Sequence, residues 1–208
     1  MMTKVKILLK HLSIIGCFIF YLSGQFVWAN TQFQTGDIIF HISKSQQSLA
    51  IQKATQSPYS HMGLIVNKDG RTWVLEAIQP VTYTPLQQWI NRGEKQHYVL
   101  KRYYKNLTLE QKNKLVKSAE QYLGKPYDIY FEWNDRAIYC SELVWKSYNN
   151  ALGIKLSNLE TLKQFNLTFP EVQKLMRQRY GSNIPLNEKV VSPKAIYESK
   201  LLREIVKN

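Results

Sequence analysis

Two apolar, strand-like runs, His61–Val66 and Thr72–Ala77, flank Asn67-Lys68-Asp69-Gly70. A pair of this kind around an Asp-Gly step closes as an antiparallel hairpin, and the period of two along each strand then decides which side chains share a face. With a four-residue loop, Val66 opposes Arg71 and His61 lies directly across from Glu76, with Cβ atoms ~5 Å apart. A two-residue Asp69-Gly70 turn instead sets Glu76 across from Gly63. Either even loop keeps imidazole and carboxylate on one face, whereas an odd loop parts them.

The rest of the chain reads as alternating short elements. Gly36-Asp37 leads into the apolar run Ile38–Ile42, a buried strand, and Ser45–Thr55 has the spacing of a short helix. Thr84-Pro85 reads as a cap followed by proline at the first helical position, with the helix running through Ile90. His97–Tyr103 is a further strand. Thr108 and Gln111 form a capping box for a helix over Leu109–Leu123, with Leu109, Leu115, Val116, Ala119 and Leu123 as its apolar face. Lys112, Lys114 and Lys117 belong to its solvated face. A second helix starts at Cys140 and stops near Gly153. Ser157–Pro185 has no clean period, and Ser192-Pro193 caps a last helix with Ile196, Leu201 and Ile205 as its stripe. The expectation is an α+β fold, an antiparallel sheet packed against helices, in one domain over 30–208.

The first 29 residues stand apart. Lys4, Lys6 and Lys10 precede the uncharged Leu12–Trp28, and Val27-Trp28-Ala29 suits a cleavage site, so a secretory signal peptide is expected over 1–29. A lipoprotein box at Ile14-Ile15-Gly16-Cys17 and an uncleaved anchor over Leu12–Ala29 are the rival readings. The whole chain carries 28 Lys and Arg against 15 Asp and Glu, a net charge of +13. Losing three leader lysines and no acid takes that charge to +10. Such a surface favours anionic partners, a cell wall or membrane. Aromatic content of 12% with only two Cys excludes a disordered chain and a disulfide scaffold.

Removal of the leader leaves Cys140 as the single cysteine of an exported chain, the signature of either a bridging or a reactive thiol. At a helix start, unpaired backbone N–H groups and the dipole favour a thiolate and offer donors to an oxyanion. The base is one of His41, His61 and His97. Spacing prefers His61, because neither of the others has an acid at a comparable cross-strand position, and a carboxylate beside imidazole fixes its tautomer and raises its basicity.

These residues resemble the NlpC-type papain-like cysteine hydrolases. Gly36-Asp37-Ile38-Ile39-Phe40, Ser60-His61-Met62-Gly63-Leu64-Ile65 and Val74-Leu75-Glu76-Ala77 are similar to the Gly-Asp strand and His hairpin of that family. Leu123-Gly124-Lys125-Pro126-Tyr127 and Tyr139-Cys140-Ser141-Glu142-Leu143-Val144 resemble its Gly-x-Pro-Tyr and Cys segments. The Cys motif here follows the His hairpin, the order of the circularly permuted YiiX/YebB-like branch. The resemblance covers Gly36–Gly153 and leaves Ser157–Pro185 outside. It implies a permuted papain-like fold with Cys140 as nucleophile at a helix N-terminus, His61 as base and Glu76 as orienting acid, where many ordinary members carry His, Asn or Gln. Tyr127 is implied at the rim as a substrate or oxyanion contact, equally balanced against a turn residue that packs on the Cys140 helix. Glu142 and Asp128 are expected to be structural. Tyr127, Tyr130, Phe131, Trp133 and Tyr139 read as core more readily than as a substrate wall.

The expected function is an exported cysteine hydrolase acting on amide bonds of envelope peptides or peptidoglycan stem peptides. A lipid acyl hydrolase or acyltransferase on the same core, and a non-catalytic envelope-binding module, are the alternatives. No metal-ligand spacing or phosphate loop occurs, so neither metal nor cofactor is expected. No aromatic-interleaved basic stripe points to nucleic acid.

Overall fold

The computed structural model describes residues 32–208. The leader over 1–29, with Cys17 and the anchor alternative, lies outside the described residues. The chain runs β1 (Ile38–His41), α1 (Gln46–Thr55), β2 (His61–Lys68), β3 (Arg71–Glu76), β4 (Thr82–Pro85), α2 (Leu86–Arg92), β5 (Val99–Tyr103) and α3 (Leu109–Glu120). It continues through α4 (Cys140–Leu152), β6 (Glu160–Thr161), α5 (Pro170–Tyr180), β7 (Lys189–Val190), α6 (Pro193–Tyr197) and β8 (Leu202–Lys207). Six strands form one antiparallel sheet in the order β4-β3-β2-β1-β5-β8, and β6 pairs with β7 apart from it.

The alternation along the strands builds two cores. Ile38, Phe40, Met62, Leu64 and Leu75 point to one face, against Leu115 and Ala119 of α3 and Leu143, Val144 and Tyr148 of α4. Ile39, Ile65, Val74 and Leu100 point to the other, around the buried Trp89 of α2. Each large side chain buried this way is worth about 1.5–3 kcal/mol, so the period of two that reads as strand in the sequence also holds the layers together.

Lys68 pairs with Arg71, so the hairpin closes on the tight Asp69-Gly70 turn, the second of the two even loops. Asp69 and Gly70 both have positive φ, 51° and 70°, as this turn demands. The Thr108–Gln111 capping box forms, but α3 ends at Glu120, and Leu109 and Leu123 are 75% and 40% exposed rather than inward. Lys112 is half-buried, while Lys114 and Lys117 are solvated as expected.

Two further expectations are corrected. Thr84 is a strand residue of β4, and Pro85 takes the N-cap position of α2, because Glu76 pairs with Thr82 across the β3–β4 ladder. The last helix stops at Tyr197. Leu202–Lys207, Ile205 among them, forms β8 instead, since the edge of β5 offers it an antiparallel ladder, broken by one register shift between Leu100 and Lys101. Ser157–Pro185 contains β6 and α5, and α5 packs against α1.

Helix α4 is tied at both ends. The Ser141 hydroxyl donates to Val191 O at 2.7 Å, and Val191 N–H donates to Tyr139 Oη at 3.1 Å. At the far end the Tyr148 hydroxyl donates to Gly36 O.

Candidate active site

Cys140 is the first residue of α4, 3% exposed and unbridged. The helix start is shaped by its third residue. Glu142 is buried, reaches back toward the Tyr139 N–H at 3.4 Å, and sets Oε1 2.7 Å from Lys146 Nζ. Despite the lysine, burial pushes Glu142 up to about 8. Both Glu142 and Asp128 sit inside the protein and serve its packing.

His61 opens β2, and its Nε2 lies 2.7 Å from Oε2 of Glu76. The register places Glu76 diagonally from His61, over Gly63. A β-carbon at Gly63 would collide with Val74 and lie 3.3 Å from Glu76 Cβ, so only glycine leaves that diagonal open. Glu76 is fully buried and draws donors from three further side chains. Trp89 Nε1–H donates to Oε2 at 3.0 Å, while the Thr84 hydroxyl and Arg92 guanidinium donate to Oε1. Burial alone would raise Glu76, yet His61, Thr84 and Arg92 together bring it down to about 2. A buried carboxylate held ionised by four donors is a fixed negative charge beside the imidazole.

That charge sets the state of His61. Burial disfavours its imidazolium, but hydrogen bonding with Cys140 and Glu76 outweighs it and raises His61 to about 10. With Nε2 committed to Glu76, Nδ1 is the nitrogen left for the thiol. His41 pairs with His61 in the β1–β2 register and stacks on Trp89 at 3.9 Å. Burial, then the neighbouring His61, push it down to about 2, so it stays neutral. His97 is exposed at the far strand, with Nδ1 2.9 Å from Asn208 O. Of the three histidines, His61 alone is bonded to a carboxylate, and Cys140 is the other group that raises it.

Tyr127 is seated by a short parallel bridge. Ile138 N–H donates to Pro126 O at 3.1 Å and Asp128 N–H to Ile138 O at 3.2 Å, which holds Tyr127 beside the segment that enters α4. Its hydroxyl accepts from Gln47 Nε2 at 2.8 Å. Burial, and after it Cys140, push that hydroxyl well above its ordinary value.

Two hollows meet here. A polar cleft is lined by His41, Ser45, Gln47, Ser60, His61 and Arg92. An apolar cavity is lined by Cys140, Ala50, Phe131, Leu162, Val172 and Met176, much of it supplied by the segment after Ser157. Tyr127 and Ile51 line both. Phe131 and Tyr139 also face the cavity, Trp133 packs edge-on against Trp145, and Tyr130 is 44% exposed, so the aromatic stretch is divided among wall, core and surface.

The sequence reading missed Thr84, Trp89 and Arg92 around Glu76, and Gln47 behind Tyr127. None carries a motif. Thr84 reads only as a cap and Arg92 carries no signal, because their partner lies in another element.

A family model described as "Permuted papain-like amidase enzyme, YaeF/YiiX, C92 family" matches residues 32–206, well beyond the Gly36–Gly153 span of the sequence resemblance. The chain is 51% identical over 182 residues to the uncharacterized protein YiiX of Escherichia coli (strain K12), covering 88% of this chain and 89% of that one. It superposes with a TM-score of 0.83 and 52% identity on the crystal structure of metalloprotein yiiX from Escherichia coli O157:H7, covering 85% of this chain and 98% of that one. Among the described residues no group of three or more His, Cys, Asp or Glu side chains is arranged to hold a metal ion. The chain belongs to the permuted papain-like amidases of the YaeF/YiiX, C92 family.

Proposed function

We propose that this chain hydrolyses an amide bond through Cys140, His61 and Glu76. The observation that carries the reading is the buried Glu76 on Nε2 of His61, which leaves Nδ1 as the nitrogen to serve Cys140, the first residue of α4. His61 takes the thiol proton, and Cys140 Sγ attacks the carbonyl carbon. The resulting oxyanion is held by the Cys140 backbone N–H and the Tyr127 hydroxyl. His61 then returns the proton to the leaving amine, and a thioester remains on Cys140. Water, deprotonated by His61, attacks that thioester and releases the acid and the free thiol. Glu76 stays ionised and balances the imidazolium. The family supplies the amidase class, and an exported, basic chain suits envelope peptides or stem peptides.

A second reading is favoured by the apolar cavity at Cys140. His61 lines the polar cleft, and the group it protonates is the leaving group, so the acyl half lies on the opposite, apolar side. That arrangement suits a substrate with an apolar acyl portion and a polar leaving group, as in an acyl lipid. Mass spectrometry of muropeptide and phospholipid mixtures, incubated with the chain or with Cys140→Ala, separates the two. Amine-bearing peptide products absent from the variant digest support the amidase on peptides. Cys140-dependent fatty acid release supports the lipid reading, and identical digests refute both. Export through residues 1–29 is tested by cell fractionation, with loss of the protein from the envelope fraction on deleting them.

A further inference from the structure

Arg179 on α5 reaches from the segment after Ser157 back toward the site. Its Nη2 lies 2.6 Å from Gln47 Oε1, and Gln47 Nε2 lies 2.8 Å from Tyr127 Oη. A guanidinium only donates, so the oxygen of the Gln47 amide is committed to Arg179 and the NH2 end turns to Tyr127. That NH2 is also only a donor. The Tyr127 oxygen therefore accepts, and its own O–H hydrogen is left to point elsewhere.

The parts of this chain are held firmly. The Arg179 guanidinium carbon sits 4.9 Å from the centre of the Phe131 ring, and Gln47 lies in the first turn of α1, where Ser45 Oγ accepts from Ser48 N–H at 3.1 Å. The Tyr127 ring shares the cavity wall with Cys140. We propose that Arg179 is a positioning residue which, through Gln47, aims the Tyr127 O–H at the oxyanion formed when Cys140 attacks. The proposal rests on the cysteine-amidase reading above.

Two reagents separate this from a structural role. Acylation by p-nitrophenyl acetate forms an Sγ–carbonyl bond through an oxyanion and expels p-nitrophenolate, while the thiol proton goes to His61. Alkylation by iodoacetamide displaces iodide from a methylene carbon and forms no oxyanion. In the full chain, Gln47→Glu should slow the acylation burst by on the order of 10²-fold, because its carboxylate accepts from both neighbours and takes the Tyr127 hydrogen away. Arg179→Met should slow it by about tenfold, because it frees the amide to rotate. Arg179→Met should alkylate at the parent rate, and neither variant should cost anything more in acylation in a Tyr127→Phe background. A parallel loss in the alkylation of Arg179→Met, additive losses with Tyr127→Phe, or full-rate acylation by Gln47→Glu would each overturn the relay alone. A parent chain with no burst beyond that of Cys140→Ala would overturn the cysteine-amidase reading and the relay with it.

Discussion

Gly63 faces Glu76 across the β2–β3 ladder, and the missing side chain is the space through which His61 reaches the carboxylate. Gly63→Ala is expected to cost about 1–3 kcal/mol, read by urea unfolding, because the new methyl meets Val74 and the backbone of Leu75 as well as Glu76. The same change should slow alkylation of Cys140 by iodoacetamide near pH 6. A variant with unaltered stability and labelling would show that the diagonal does not depend on glycine.

His61 sets the reactivity of the thiol. His61→Ala should label with iodoacetamide far more slowly than the parent chain near pH 6, on the order of tenfold or more. Equal and slow labelling of both proteins would remove the enzyme reading and leave a binding module.

The neutral state of His41 gives a pH signature. Its folded value near 2 lies below the ordinary 6.5, so as pH falls from about 6.5 the unfolded chain takes up a proton that the folded one refuses. This group therefore favours the folded state above about 6.5 and progressively less toward acid. His41→Gln, which has no such titration, should pay a packing cost at pH 8 and recover it relative to the parent as pH is lowered to 4. Melting temperatures followed by circular dichroism check this, and a difference that stays constant with pH would refute it.

Trp89 holds one oxygen of Glu76 through its indole N–H. Trp89→Phe keeps most of the buried ring and removes that donor, with an expected loss of about 1–3 kcal/mol. Trp89→Phe should also label more slowly at Cys140, whereas a purely structural donor would change the melting temperature alone.

Ala50 lies buried on the wall of the apolar cavity. Ala50→Phe should fill that space and lower acylation by p-nitrophenyl octanoate relative to the acetate by about tenfold or more. Equal effects on the two esters would show that the acyl chain does not enter there.

Local signals read best from the sequence. The Asp69-Gly70 step and the period of two place His61 and Glu76 on one face whichever even loop closes the hairpin, because parity survives any even loop. The Thr108–Gln111 capping box and the helix beginning at Cys140 were equally legible, since each depends on residues within one turn. What failed was non-local. Thr84-Pro85 does open a helix, but one residue later than its motif implies, because pairing with β3 keeps Thr84 in a strand and makes Pro85 the cap. Leu201 and Ile205 have helical spacing with Ile196, yet the chain turns at Leu201 and the open edge of β5 takes Leu202–Lys207 as β8. The same limit hid Arg92 and Arg179, whose charges look like ordinary surface until the fold brings them to Glu76 and Gln47.

α4 is hydrogen-bonded to the loop at Val191 near one end and to Gly36 near the other. Val191 directly follows β7, and Val190 and Val191 both line the apolar cavity, so the strand that borders the cavity and the helix that carries the reactive sulfur are coupled rather than independent.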